Sequence, residues 1–211
     1  MLSRKTSLAE VLEASSDLVP GNTMPMATED GDPNVIWVGR LQVGKDPLTG
    51  LEAFKRFSIH HPAARLTIVA PATRPLEAVL RDRLPAGARL IGPLTQAELG
   101  DCYARADIIL STSRHEGSGY AVIEAIGLGC TPALSELPSH RVIAGDLGHY
   151  FAPGNPVEAA EALERAFRAS RATSARERAR RHFETFLSWE RVSDQLIAAW
   201  AHPRARTHSQ Q

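Results

Sequence analysis

The chain of 211 residues holds only two cysteines, no surplus of either charge and no long apolar run. Cys102 and Cys130 stand too far apart for ligand-like spacing, which argues against a disulfide framework and a cysteine-based metal site. They are expected to be reduced thiols in or near the core of a cytoplasmic protein. Lys plus Arg equals Asp plus Glu at 24 each, so the formal charge is zero. That argues against nucleic acid as a partner, since such binding rests mainly on neutralising phosphates. Nothing approaches the ~20 consecutive apolar residues that span a bilayer. Met1 to Pro20 mixes polar and apolar residues and lacks the continuous hydrophobic stretch of a signal peptide. A soluble protein is expected, with no transmembrane segment; peripheral membrane association through a partner stays open. No internal repeat is visible.

What the chain does have is an alternation of short apolar runs with helical patterns. Residues 1–33 read as a lead-in segment: Leu8, Val11 and Leu12 suggest a short helix, and Asn22 to Pro33 collects the Pro, Gly and acidic residues of an interdomain-type linker. The organised region, residues 34–201, opens at Val35-Ile36-Trp37-Val38. Leu48, Leu51, Phe54 and Phe57 then share one helical face, followed by the apolar strand Leu66 to Val69. Pro75 to Leu84 reads as a helix and Arg89 to Ile91 as a strand. Thr95 and Glu98 form a capping-box pattern for a helix running to about Arg105. The strand Ile108 to Leu110, the helix Tyr120 to Leu128 and the strands Thr131 to Leu134 and His149 to Phe151 follow. Pro156 suits the first turn of a helix over Val157 to Ala169. Two helical stretches, Ala175 to Phe186 and Trp189 to Trp200, close the region, and residues 202–211 read as a disordered polar tail.

Short apolar strands between amphipathic helices predict the α/β class, with a Rossmann-like parallel sheet of about six strands, helices on both faces and extra C-terminal helices. In such sheets ligands lie at the carboxyl ends of the strands, where the strand order reverses. Two glycine-containing loops follow strands in this way, Gly39 to Asp46 and His115 to Tyr120.

The first loop nearly spells a phosphate-cradling P-loop, with Gly39, four residues, then Gly44 and Lys45. Its next position fails, because Asp46 stands where a Ser or Thr should hold magnesium, and Pro47 removes a backbone donor. Arg40 and Lys45 are better read as two cations reaching a diphosphate, Arg as a bidentate fork and Lys as a point charge. Against this stands the plainer reading of two solvated surface charges. Asp30-Gly31-Asp32 precedes the first strand rather than following one, so it reads as a solvated turn, and no metal site is predicted.

The second loop carries Glu116 and Glu124 on either side of Gly117-Ser118-Gly119. A strand, a glycine turn and a helix start present backbone N–H groups to an anion. Carboxylates beside them accept hydrogen bonds from hydroxyls, and a sugar nucleotide offers phosphates and hydroxyls together. A hydrolase pair fits worse: eight helical positions span ~12 Å, whereas retaining hydrolases hold their carboxylates ~5 Å apart and inverting ones under ~10 Å. Glu124 as a plain solvated helix residue is the bland alternative. His115 has two readings, stacking near a ligand or simple exposure on a loop, and His140 and Arg141 are weaker candidates. His60-His61 is explained by the dipole at a helix end, and Trp37 by the core.

Arg-His-Glu-Gly-Ser-Gly-Tyr-Ala-Val-Ile-Glu-Ala from Arg114 to Ala125, with Gly129 and Pro132 after it, resembles the nucleotide-sugar site of family-4-type retaining glycosyltransferases, the glycosyl transferases group 1, which have the GT-B fold. Val38 to Leu41 with Lys45-Asp46 is similar to their first phosphate loop. Ile91-Gly92-Pro93-Leu94 resembles the loop lining the nucleobase, and Ser188-Trp189-Glu190 the start of their C-terminal helix. The resemblance covers about residues 34–200 and implies the C-terminal, donor-binding half of that fold. It implies catalytic roles for Arg40 and Lys45 at the diphosphate and for Glu116 at the donor sugar. Gly39, Ile91, Gly92, Leu94, His115, Ala121 and the backbone of Gly117 to Tyr120 would line the donor, and Glu124 would accept from the ribose.

The family's acceptor domain has no counterpart in the sequence. The favoured expectation is a glycosyltransferase of carbohydrate biosynthesis, of hexosyltransferase type, acting with retention and without a metal or other cofactor. Its partners would be a UDP-, GDP- or ADP-linked sugar and a separately encoded N-terminal acceptor domain. A non-catalytic nucleotide-sugar-binding or interaction module is the alternative, and a P-loop-like NTPase the third reading.

Overall fold

The computed structural model describes residues 31–71 and 76–201. The expected helix near Leu8, most of the linker, Asp30, the helix start at Pro75 and the tail from residue 202 lie outside the described residues. Six strands, β1 (Asn34–Val38), β2 (Arg65–Val69), β3 (Ala88–Ile91), β4 (Ile108–Ser111), β5 (Thr131–Ser135) and β6 (His149–Phe151), form one sheet. Its order is β3-β2-β1-β4-β5-β6, and every pairing is parallel. The chain builds outward from β1 to β3, then returns to lay β4 on the other side of β1. The reversal therefore falls between β1 and β4, and the crevice of a doubly wound sheet opens at their carboxyl ends.

Eight helices cover the sheet within the described residues: α1 (Pro47–Phe57), α2 (Leu76–Asp82), α3 (Gln96–Arg105), α4 (Tyr120–Gly127), α5 (Pro138–Ala144), α6 (Pro156–Ser170), α7 (Ala175–His182) and α8 (Trp189–Ala201). Among them none is long and apolar enough to cross a membrane. Successive strand residues point to opposite faces, and β1 shows the consequence. Val35 and Trp37 join Phe54 and Phe57 of α1 and Leu163 of α6 in one core, while Ile36 packs with Tyr103 of α3 and Ala125 of α4 in another. Burying one such large apolar side chain stabilises the fold by roughly 1.5–3 kcal/mol. The expected Rossmann-like, helix-covered parallel sheet is the one found.

Local signals behave as the side chains dictate. Thr95 accepts from the Glu98 backbone and Glu98 bonds back to Thr95, so the capping box that opens α3 is complete. Pro156 stands in the first turn of α6, and Asn155 caps it through the backbone N–H groups of Val157 and Glu158.

Two expectations are corrected. The helix from Ala175 stops at His182, and Phe183–Leu187 forms a π-helical turn before α8. The wider turn aims both Phe183 and Leu187 into the core against α4, where a Cβ on Gly127 would stand 3.0 Å from the Phe183 ring. His60 and His61 are not in a last helical turn, because α1 ends at Phe57. Pro62 disfavours helical backbone at the residue before it. His61 instead bonds Glu164 of α6 at 2.7 Å and stacks on Phe57.

Candidate functional site

The loops after β1 and β4 meet because their strands are neighbours. After β1 the chain makes a 3-10 turn, Val43–Lys45, and reaches Asp46, whose backbone is left-handed at φ 45°. Asp46 caps α1 by accepting from the Thr49 backbone, 3.3 Å, and the Thr49 hydroxyl, 2.9 Å. Thr112, just past β4, ties this loop down. Its hydroxyl donates to the carbonyls of Lys45 and Asp46 at 3.0 and 2.8 Å, and accepts from the Trp37 indole at 3.0 Å. Trp37 is core, as expected, yet it also orients a loop anchor.

Lys45, held this way, forms an ion pair with Glu116 from the second loop. Ser113 donates to the same carboxylate oxygen at 3.1 Å, and Ser139 of α5 bonds the Glu116 carbonyl at 3.1 Å. Burial pulls the Glu116 carboxyl upward, but the Lys45 hydrogen bond and charge, with the Ser113 hydroxyl, outweigh it. The net result lies below the usual carboxylate range, so Glu116 is an anion at neutral pH and suits a hydrogen-bond acceptor better than an acid. Arg40 is exposed and makes no ion pair with the described residues.

Gly119 opens α4 at φ 61°, where a Cβ would stand 2.4 Å from the Ile143 side chain. Only glycine fits there without displacement. No side chain caps this N-terminus, so its first backbone N–H groups and its positive dipole end are left for a ligand.

Arg40, Lys45, Glu116 and the α4 start line a cleft of about 650 Å³ at the carboxyl ends of the strands. Gly39, Leu94, Gly117, Ser118, Gly119, Tyr120 and Ala121 line it too, so ten of the fourteen expected residues converge on it. Four do not line it. Ile91 ends β3 and its carbonyl accepts from Ala70 at 3.2 Å. Gly92 and His115 are exposed. Glu124 sits one turn into α4, where its carboxylate accepts from the buried Tyr103 hydroxyl at 3.2 Å. Two other grooves have similar volumes, about 600 Å³ beside Arg65, Arg89 and Arg105 and about 690 Å³ between α1 and α6. Neither joins a glycine loop to a helix N-terminus.

Sequence reasoning missed the supports of this cleft: Thr112, Ser113, Ser139 and the capping role of Asp46. The run Ser111-Thr112-Ser113 after an apolar strand was the available signal for the first two. His140 proves fully buried behind Glu116. Its Nδ1 stands 2.7 Å from the Ser135 carbonyl and its Nε2 3.4 Å from the Ser111 hydroxyl. Burial keeps its imidazole below the usual histidine range, against the pull of Ser135 and Glu116, so it is neutral at pH 7. Arg141 instead leaves the cleft, pairing with Glu136 and covering the Tyr150 ring. Cys102 is half-buried and Cys130 buried, both free thiols. Among the described residues no three His, Cys, Asp or Glu side chains converge as metal ligands would.

The glycosyl transferases group 1 family model matches residues 32–169. The glycogen synthase of Mycobacterium tuberculosis (strain H37Rv) is 27% identical over 169 residues, covering 77% of this chain and 41% of the relative. A D-inositol 3-phosphate glycosyltransferase of Geodermatophilus obscurus is 30% identical over 180 residues, 79% of this chain and 39% of the relative. Among solved structures, a sucrose-phosphate synthase from Thermosynechococcus elongatus superposes with a TM-score of 0.69 at 19% identity, over 90% of this chain and 51% of that one. A glycosyltransferase from Rickettsia africae gives 0.68 at 17% identity, over 81% and 48%. The chain spans about two fifths of the length of these curated relatives. The matched span holds both cleft loops, and the chain belongs to the glycosyl transferases group 1 family.

Proposed function

We propose that this chain is the donor half of a glycosyltransferase, binding a nucleotide-sugar and presenting it to an acceptor held by a separate domain. One observation carries the reading: two cations and an uncapped helix N-terminus face one cleft beside an ionised carboxylate. A nucleoside diphosphate leaving group gains negative charge as the sugar departs. Fixed cations and helix-end N–H groups stabilise that charge without needing to reorganise. Arg40 and Lys45 would meet the diphosphate, together with the backbone of Gly119 to Ala121. Glu116 would accept from the donor sugar's hydroxyls, and Leu94 with Pro93 would flank the base. Glu124, beside Tyr103 at the back of α4, is our candidate for the ribose, and His115 for the rim.

This arrangement suits transfer without a metal at the diphosphate, since the chain itself supplies the positive charge. The proposal includes retention of configuration and a hexosyl donor, which the family resemblance supports, and a cytoplasmic setting, which the two free thiols support. Residues 1–33 would then be a lead-in segment and interdomain-type linker. The test is calorimetric titration with UDP-, GDP- and ADP-sugars, followed by transfer assays with and without an added acceptor domain. Micromolar to millimolar binding of one class, released as its nucleoside diphosphate during transfer, is the expected result. Absence of binding to every donor would sink the proposal, and binding without transfer would favour a non-catalytic module. A P-loop role is disfavoured because Asp46 is spent capping α1 and Lys45 turns to Glu116.

A further inference from the structure

We infer, building on the cleft's reading as a diphosphate site, that Arg114 is a positioning residue that sets Lys45 without touching the ligand. Arg114 lies two residues before Glu116, yet it is not among the residues lining the cleft. Its side chain passes behind the β1 loop instead. Nε donates to the Asp46 carboxylate at 2.8 Å, and the Arg114 backbone N–H donates to the Gly44 carbonyl at 2.8 Å. Gly44 and Asp46 are the two neighbours of Lys45, so Arg114 grips the loop on both sides of the cation.

Asp46 needs this grip. It is the single non-glycine residue with positive φ among the described residues, and such a conformation persists only where the surroundings over-determine it. Thr112 fixes the Lys45 and Asp46 carbonyls, and Arg114 fixes the Asp46 carboxylate. The turn after β6 closes the remaining side. A Cβ on Gly154 would stand 2.7 Å from an Arg114 guanidinium nitrogen, so the guanidinium lies close against that turn. Loops after β1, β4 and β6 thus meet at one side chain. Its side chain is 49% exposed, and an ion pair so open to water contributes little to global stability. Its consequence is local, the placing of Lys45.

The experiment measures nucleoside diphosphate and nucleoside affinity by calorimetry for the full chain and for R114A, R114K, K45A and R114A/K45A, with thermal midpoints recorded alongside. R114A should weaken diphosphate binding about tenfold, with nucleoside affinity and midpoint unchanged. R114K should recover part of the loss, because lysine can still meet Asp46 as a point charge. Added to K45A, R114A should cost less than about twofold more, since an effect carried by Lys45 disappears with it. Additive losses in the double variant, or nucleoside affinity falling in parallel, would overturn the inference while leaving the cleft's reading intact. A wild-type chain that binds no nucleoside diphosphate would overturn both.

Discussion

Lys45 and Glu116, 71 positions apart in sequence, meet as an ion pair inside the cleft. Each neutralises the other, so a diphosphate must compete with Glu116 for the ammonium. E116Q should therefore bind a sugar-free nucleoside diphosphate more tightly, by on the order of three- to tenfold. The same variant should lose the extra affinity contributed by the sugar. Weaker diphosphate binding in E116Q, read by calorimetry, would show that the carboxylate supports the site rather than competing within it.

The cations themselves can be separated from the base pocket. Charge-assisted contacts to phosphate are worth ~1.5–3 kcal/mol, so R40A or K45A should lower nucleoside diphosphate affinity roughly tenfold or more. Nucleoside affinity should stay near its starting value. Equal losses for both ligands would refute the assigned contacts.

Gly119 joins the stability of α4 to the ligand site. G119A would place a methyl group where the Ile143 side chain stands, on a backbone at φ 61°. Left-handed backbone with a Cβ costs about 1–2 kcal/mol before any clash. Chemical denaturation should show at least that loss, together with weaker diphosphate binding as the helix start shifts. An unchanged midpoint would mean that α4 adjusts more freely than its packing implies.

Acid should act on two separate windows. Burial depresses His140 below the ordinary value of 6.5, and burial depresses His149 in the same direction. Between the folded and unfolded values the unfolded chain binds more protons, so stability rises with pH and is lost as pH falls below about 6.5. The denaturation midpoint should drop between pH 7 and pH 5, and H140Q should flatten that slope. Glu116, also depressed, contributes stability that is present above its unfolded value of 4.5 and is lost only as pH falls through its lower folded value. A flat midpoint from pH 7 to pH 5 in the wild-type chain would contradict the buried neutral histidine.

Thiol chemistry offers a simple check on packing. Cys130 is fully buried, and burial pushes its thiol up to about 12, whereas Cys102 is half-buried. A thiol reagent should label one cysteine in the native protein and the second only on unfolding.

Much of this protein is legible from local patterns, and the rest required distant segments to meet. The six strands, the Thr95–Glu98 capping box and the glycine turn at Gly119 could be read directly, because each rests on neighbours a few residues apart. So could the convergence of Gly39, Arg40, Lys45 and Glu116, through the rule that loops at strand ends gather at a switch point. No periodicity contained the π-helical turn at Phe183–Leu187, which exists so that two side chains reach a core built by α4. Nor did local sequence mark Glu124 as the partner of Tyr103, since that bond needs α3 and α4 laid side by side. Composition and spacing were sufficient for the sheet and its two loops, because hydrophobic burial and turn chemistry act locally. The pairing of Lys45 with Glu116, and the grip of Thr112 and Arg114 on the loop between them, were decided only when β4 settled against β1. Strand order is a property of the whole chain's burial, and the charges of the cleft take their partners from it.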